Sequence, residues 1–104
     1  MKIALIDDEA AIRETIRTVL DHFFNGLEIQ EANGVSDAIF LINRFNPDLL
    51  FLDVEMGDGT GFDLLTRMPV LKCQVIFVTA HDKYAVKAFK FSALDYILKP
   101  VDPE

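Results

Sequence analysis

The chain has no tryptophan and a single cysteine, Cys73, among 104 residues. One thiol excludes an internal disulfide and a cysteine-built zinc site. Cys73 opens an apolar run, which marks it as a buried or half-buried structural thiol rather than a reactive one. Cationic residues are also scarce: 10 Lys and Arg stand against 17 Asp and Glu, a formal net charge of −7. That balance disfavours direct binding of nucleic acid or of an anionic membrane by this chain. It suits a site that gathers acids, for instance around a metal. No apolar run approaches the ~20 residues of a membrane span. The opening MKIALIDDEA is not a signal peptide, because its apolar stretch covers only Ile3 to Ile6 before acids follow. A cytoplasmic domain is expected.

What is present is core-forming material. Hydrophobic residues make up 51% of the chain, nine of them Phe, so one domain over 1–104 can pack a core of Leu, Ile, Val and Phe. No repeat, low-complexity tract or linker divides it. Strand-length apolar runs recur as KIALI (2–6), LEIQEA (27–32), DLLFL (48–52), QVIFV (74–78) and LDYIL (94–98). Helix-length segments separate them. Over 9–24, Ile12, Ile16, Val19, Leu20 and Phe23 recur at spacings of three and four. Segment 36–45 begins at a candidate cap, Ser36, and ends before Asn46-Pro47. Segment 61–68 stops at Pro69, and 82–92 has Asp82 as its candidate cap.

This alternation predicts an open, doubly wound α/β fold with a five-stranded parallel sheet and helices on both faces. Runs 48–52 and 74–78 are continuously apolar, as central strands buried on both faces should be. Run 27–32 alternates, which suits an edge.

In an open parallel sheet, ligands bind at the carboxyl ends of the strands. Asp7-Asp8-Glu9 follow the first run, Asp53 the third, Thr79 the fourth and Lys99-Pro100 the fifth. Glu55 and Asp58 lie close behind Asp53. Clustered carboxylates repel one another, and burial pushes at least one pKa upward. A hard divalent cation relieves the repulsion; Mg²⁺ takes oxygen ligands and keeps part of its water shell. Lys99 does not fit a pure metal cage, but it fits a site that holds a phosphoryl group, with the ammonium sharing the negative charge. Thr79 can donate to a phosphoryl oxygen. An aspartate carboxylate can itself be the nucleophile and form an acyl phosphate, and Asp53, ending the most buried strand, is the natural candidate.

The ordered set LIDDE (5–9), DLLFLDVEM (48–56), DGTGFDLL (58–65), VIFVTAHD (75–82) and ALDYILKP (93–100) resembles the receiver domains of two-component response regulators. The stretch FVTAHDKYAVKAFKFSALDYILKPVD resembles most the LytR/AlgR type, whose receivers precede a LytTR DNA-binding domain. The resemblance implies a flavodoxin-like sheet in the order 2-1-3-4-5. It implies Asp53 as phosphoacceptor from a sensor histidine kinase, and Asp7, Asp8, Asp53 and the Glu55 carbonyl around Mg²⁺, with Mn²⁺ as an alternative ion. Thr79 and Lys99 then meet the phosphate, Tyr96 is the switch aromatic, and Lys99-Pro100 is a cis peptide. Glu55 and His81 occupy the positions that tune dephosphorylation in that family. Taken alone, His81 reads as a loop residue and His22 as a surface residue. Gly59 and Gly61 read as turn and helix-start glycines, and Gly57 stands where the family usually has Pro.

The chain is expected to lack the family's fifth helix, Val101–Glu104 being only its approach. An apolar patch should then lie exposed beside the first helix and favour self-association. A second candidate for a dimer surface is the fourth helix with the fifth strand, where Lys83, Lys87 and Lys90 alternate with Tyr84, Phe89 and Phe91. Two rival functions remain: a haloacid-dehalogenase-like phosphohydrolase, with DVE (53–55) as its motif, and an unphosphorylated pseudo-receiver scaffold.

Overall fold

A computed structural model describes residues 1–100. The expected approach to a fifth helix, 101–104, lies outside the described residues. The elements run β1 (Lys2–Ile6), α1 (Ala10–Phe23), β2 (Glu28–Ala32), α2 (Val35–Phe45), β3 (Leu49–Leu52), β4 (Glu55–Met56), β5 (Gly59–Thr60), α3 (Gly61–Arg67), β6 (Gln74–Thr79), a 3₁₀ turn (Asp82–Tyr84), α4 (Ala85–Lys90) and β7 (Asp95–Leu98). Five strands form one parallel sheet in the order β2-β1-β3-β6-β7. That is the expected 2-1-3-4-5 arrangement, with four α-helices among the described residues. None of these helices is long and apolar enough to cross a membrane.

Residues alternate across the sheet, and each face has its own core. Ala4, Ile6, Leu50, Leu52, Val75 and Phe77 face α2, α3 and α4, where they join Val35, Leu41, Phe62 and Leu64. Ile3, Leu5 and Val78 face α1 and pack against Ile16 and Leu20. Among the described residues, only the first of these faces is closed. On the α1 side, Leu49, Phe51, Ile76 and Ile97 are half-buried. The central strands are therefore not buried equally on both faces as their apolar runs predict. A single described helix is too narrow to roof five strands. At the end of α1, Phe23 and Phe24 are 65% and 58% exposed, so Phe23 does not join the buried stripe. Cys73 is half-buried, and its burial pushes the thiol pKa up to about 11.

Two helix starts differ from expectation, and a third, α3, begins at Gly61 as expected. Ser36 is not a cap: α2 begins one residue earlier, after Gly34, and no side chain of its own caps it. The cap comes from a distant loop, where Asp58 Oδ1 and Oδ2 accept from the Val35 and Ser36 amides at 2.8 and 3.1 Å. These hydrogen bonds hold the Asp58 carboxyl below its ordinary pKa. Gly34 leaves room for that carboxylate, since a Cβ there would stand 2.8 Å from Asp58 Oδ1. Asp82 is not a cap either; it lies within the 3₁₀ turn, and α4 is only six residues long. At α3, Thr60 and Asp63 cap each other reciprocally, Asp63 N–H donating to Thr60 Oγ1 and Thr60 N–H to Asp63 Oδ2. Segment 55–60, which carries no strand-length apolar run, is a short antiparallel hairpin of β4 and β5.

Candidate phosphoacceptor site at the strand ends

The sheet register sets the site. Ile6 pairs with Leu52, and Thr79 with Leu98. The ladder continues one step further: Asp7 N–H donates to Ala32 O, Asp53 N–H to Ile6 O and Lys99 N–H to Thr79 O, at 3.1, 2.9 and 2.8 Å. The residues that follow β1, β3 and β7 are thus fixed by backbone before any side-chain contact forms. Gly61 allows α3 to start against this pole. A Cβ on it would lie 2.5 Å from the Asp53 carbonyl oxygen.

Asp7 and Asp53 are each 3% exposed and Thr79 1%. The Lys99 ammonium stands among the acids, 2.7 Å from Glu9 Oε1, 3.2 Å from Asp7 Oδ2 and 3.3 Å from Asp53 Oδ2. Desolvation alone would lower its pKa. The hydrogen bond to Glu9 and the charges of Asp53 and Asp7 outweigh that and raise it. Asp53 is pushed up to about 7, first by burial and then by the charge of Asp7, with Lys99 pulling the other way. Asp7 is raised too, chiefly by burial, despite accepting a hydrogen bond from Glu9 N–H at 2.8 Å. Two buried carboxylates of raised pKa and one ammonium between them form a site poised for a further cation or anion.

A divalent cation fits this donor set. Carboxylate oxygens of Asp7, Asp8, Glu9 and Asp53 lie within 4.8 Å of one another, an all-oxygen arrangement of the kind magnesium prefers. Asp7 Oδ2 is buried and makes no hydrogen bond among the described residues, its approach to Lys99 lacking the geometry for one.

The remaining expected residues border this centre. Thr79 Oγ1 accepts from His81 N–H at 3.4 Å. Tyr96 hydroxyl donates to the His81 carbonyl, and its ring lies 6.4 Å from that of Phe77. Glu55 Oε2 meets the His81 imidazole Nε2, joining the β4–β5 hairpin to the segment after β6. The Lys99-Pro100 bond is cis. Asp58 is drawn away to cap α2 and takes no part. Glu9 had been noted only as a neighbour of the acidic pair, yet it makes the shortest contact with Lys99; the consecutive acids DDE were its only signal. Arg13, which donates to the Asp7 carbonyl at 2.5 Å and pairs with Glu31 at 2.9 Å, had none. The larger surface grooves lie elsewhere: one of about 700 Å³, lined by Ile42, Met68 and Cys73 among others, sits at the opposite pole of the sheet.

A doubly wound sheet with this order, an acid at the end of its third strand and a lysine after its fifth, is the arrangement of a receiver-type signalling domain. Residues 3–104 match the response regulator receiver domain family, and the chain belongs to it. Among curated relatives, sensory transduction protein LytT of Bacillus subtilis is 38% identical over all of this chain, and LytT of Enterococcus faecalis 39%. Both agree with the LytR/AlgR-type resemblance. The chain spans 44% of each of these proteins. Among solved structures, the response regulatory domain of mrkE from Klebsiella pneumoniae superposes with a TM-score of 0.88 at 26% identity, over 99% of this chain and 86% of that one. Response regulator TrrA from Thermotoga maritima, solved in complex with Mg²⁺ and BeF, gives 0.82 at 28%, over 97% and 88%. Manganese, the alternative ion, gains no such support.

Proposed function

We infer that this receiver domain is a phosphorylation switch with Asp53 as the acceptor. The observation that carries the reading is a buried carboxyl at the end of β3, 3.3 Å from a lysine ammonium and beside Asp7 Oδ2, an oxygen without a hydrogen bond among the described residues. Asp53 Oδ attacks the phosphorus of a phosphohistidine on a sensor histidine kinase. A P–O bond forms, the P–N bond breaks, and the imidazole leaves with its electron pair. Asp7, Asp8, Asp53 and the Glu55 carbonyl would hold Mg²⁺, which would supply positive charge to offset that of a phosphoryl group. Lys99 turns from Asp53 to the new phosphoryl oxygens. Thr79 then donates its hydroxyl to the phosphoryl group instead of accepting from His81, and Tyr96 follows through its bond to the same loop. Glu55 and His81 govern the approach of water and hence the lifetime of the acyl phosphate.

The output surface is α4 with β7. Val86, Phe89, Leu94 and Leu98 are 73%, 85%, 61% and 48% exposed there, beside Lys87 and Lys90, and a second copy of the chain is the proposed occupant. A LytTR-type DNA-binding domain further along the full-length protein turns this association into transcriptional control. The phosphohydrolase alternative places its nucleophile on the first strand, whereas Asp53 ends the third. Intact-mass measurement after incubation with Mg²⁺ and acetyl phosphate tests the reading. One phosphoryl group on the parent and none on Asp53→Asn is expected. No label on the parent would sink it and leave the scaffold reading.

A further inference from the structure

Beyond the acceptor, its metal and the two tuning positions, one aromatic side chain has a place in the site. Tyr84 ends the 3₁₀ turn and is half-buried. Its hydroxyl donates to Glu55 Oε1 at 3.2 Å, while Glu55 Oε2 faces His81 Nε2. One carboxylate is thus held by two side chains of the β6–α4 segment, although it belongs to the β4 hairpin directly after Asp53. The Tyr84 ring is itself anchored. It meets the His81 ring edge-on at 6.0 Å and the Phe62 ring at 5.9 Å. Phe62 is 3% exposed and packs on Phe77 at 4.9 Å.

These contacts close a circuit. From Tyr84 it passes through Phe62 and Phe77 to Tyr96, whose hydroxyl returns to the His81 carbonyl. The ring of Tyr84 is therefore fixed by the core and its hydroxyl is aimed at the strap between two loops. A tyrosine used only for packing would not need that hydroxyl on Glu55. A free surface glutamate, in turn, would not be held from two sides.

We propose that Tyr84 is a positioning residue: it pins the Glu55 carboxylate against His81, so that the two loops stay strapped over Asp53 and small reactants reach the acceptor slowly. The inference rests on the phosphoacceptor reading and adds the regulation of access at that site. A strap acts on passage in both directions of the cycle. It slows labelling by a small phosphodonor and slows attack of water on the acyl phosphate. Loss of a merely structural hydrogen bond would weaken the site and retard labelling instead.

The test follows the phosphoryl group by intact mass on the parent, Tyr84→Phe, Glu55→Gln and the double variant, with acetyl phosphate as donor and its removal to start the decay. Tyr84→Phe keeps the ring and its core contacts. It should raise both the labelling rate and the decay rate, each about threefold to tenfold, the effect of one hydrogen bond. The double variant should exceed the larger single variant by little, because both break the same strap. Unchanged rates, slower labelling, or full additivity would overturn the proposal while a labelled parent left the acceptor reading standing. A parent that takes no label would remove both.

Discussion

Asp53→Asn should make the protein more stable, and by an amount set by pH. The Asp53 carboxyl ionises near 7 in the fold, held up by burial and by Asp7, and near 3.8 in the unfolded chain. Below 3.8 it is neutral in both states and contributes nothing to the difference. As pH rises from 3.8 toward 7, the unfolded chain releases the proton first and stability falls. Above 7 the full penalty is present. Over this interval linkage gives about 4 kcal/mol, at about 1.4 kcal/mol per pH unit. Relaxation of the site and penetrating water leave about 2 kcal/mol as the working figure. Asparagine keeps the shape and removes the charge. At about 4–8 °C per kcal/mol for a domain of this size, Tm at pH 8 in EDTA should rise by about 8 °C or more. At pH 3.5 parent and variant should melt together. Circular-dichroism melts at the two pH values decide it. An equal gain at both pH values, or a loss at pH 8, would refute the electrostatic account of the site.

Three other outcomes follow from the same geometry. At low Mg²⁺, labelling by acetyl phosphate should rise with pH and level off above about 7, since only ionised Asp53 is a nucleophile; saturating Mg²⁺ should move the inflection to lower pH, and a flat profile would contradict this. Gly61→Ala should destabilise by about 3 kcal/mol in urea unfolding and reduce labelling, because its Cβ meets the Asp53 carbonyl at 2.5 Å. Asp58→Ala should lower Tm at pH 7 by uncapping α2. Because the Asp58 pKa is depressed in the fold, that loss should disappear as the parent is titrated to pH 2, and a pH-independent loss would argue against the cap.

Much of this site was legible because it is built at strand ends. An apolar run followed by an acid, a threonine or a lysine marks both an element and its terminus. Asp7, Asp53, Thr79 and Lys99 could be placed at one pole by that pattern alone. The cap on α2 was not legible. Ser36 satisfies the local rule for a helix start, but Asp58, 22 residues away, reaches the free amides first. For the central strands, the apolar runs implied burial on both faces, whereas the expected lack of a fifth helix implied an open face beside α1. A run such as LLFL (49–52) records only that both faces are apolar, not that both are covered; Leu50 and Leu52 are fully buried, whereas Leu49 and Phe51 are half-buried.

The order of apolar runs and breakers by itself determined that this chain would build a parallel α/β sheet with acids at its mouth, because side-chain period and strand length are local properties. Tertiary structure alone decided which acids act together. It sent Asp58 to a helix amide, brought Glu9 to Lys99 across 90 residues, and set Tyr84 on Glu55 across 29. Those pairings depend on where backbones meet in space, and neither hydrophobic periodicity nor residue spacing carries that distance.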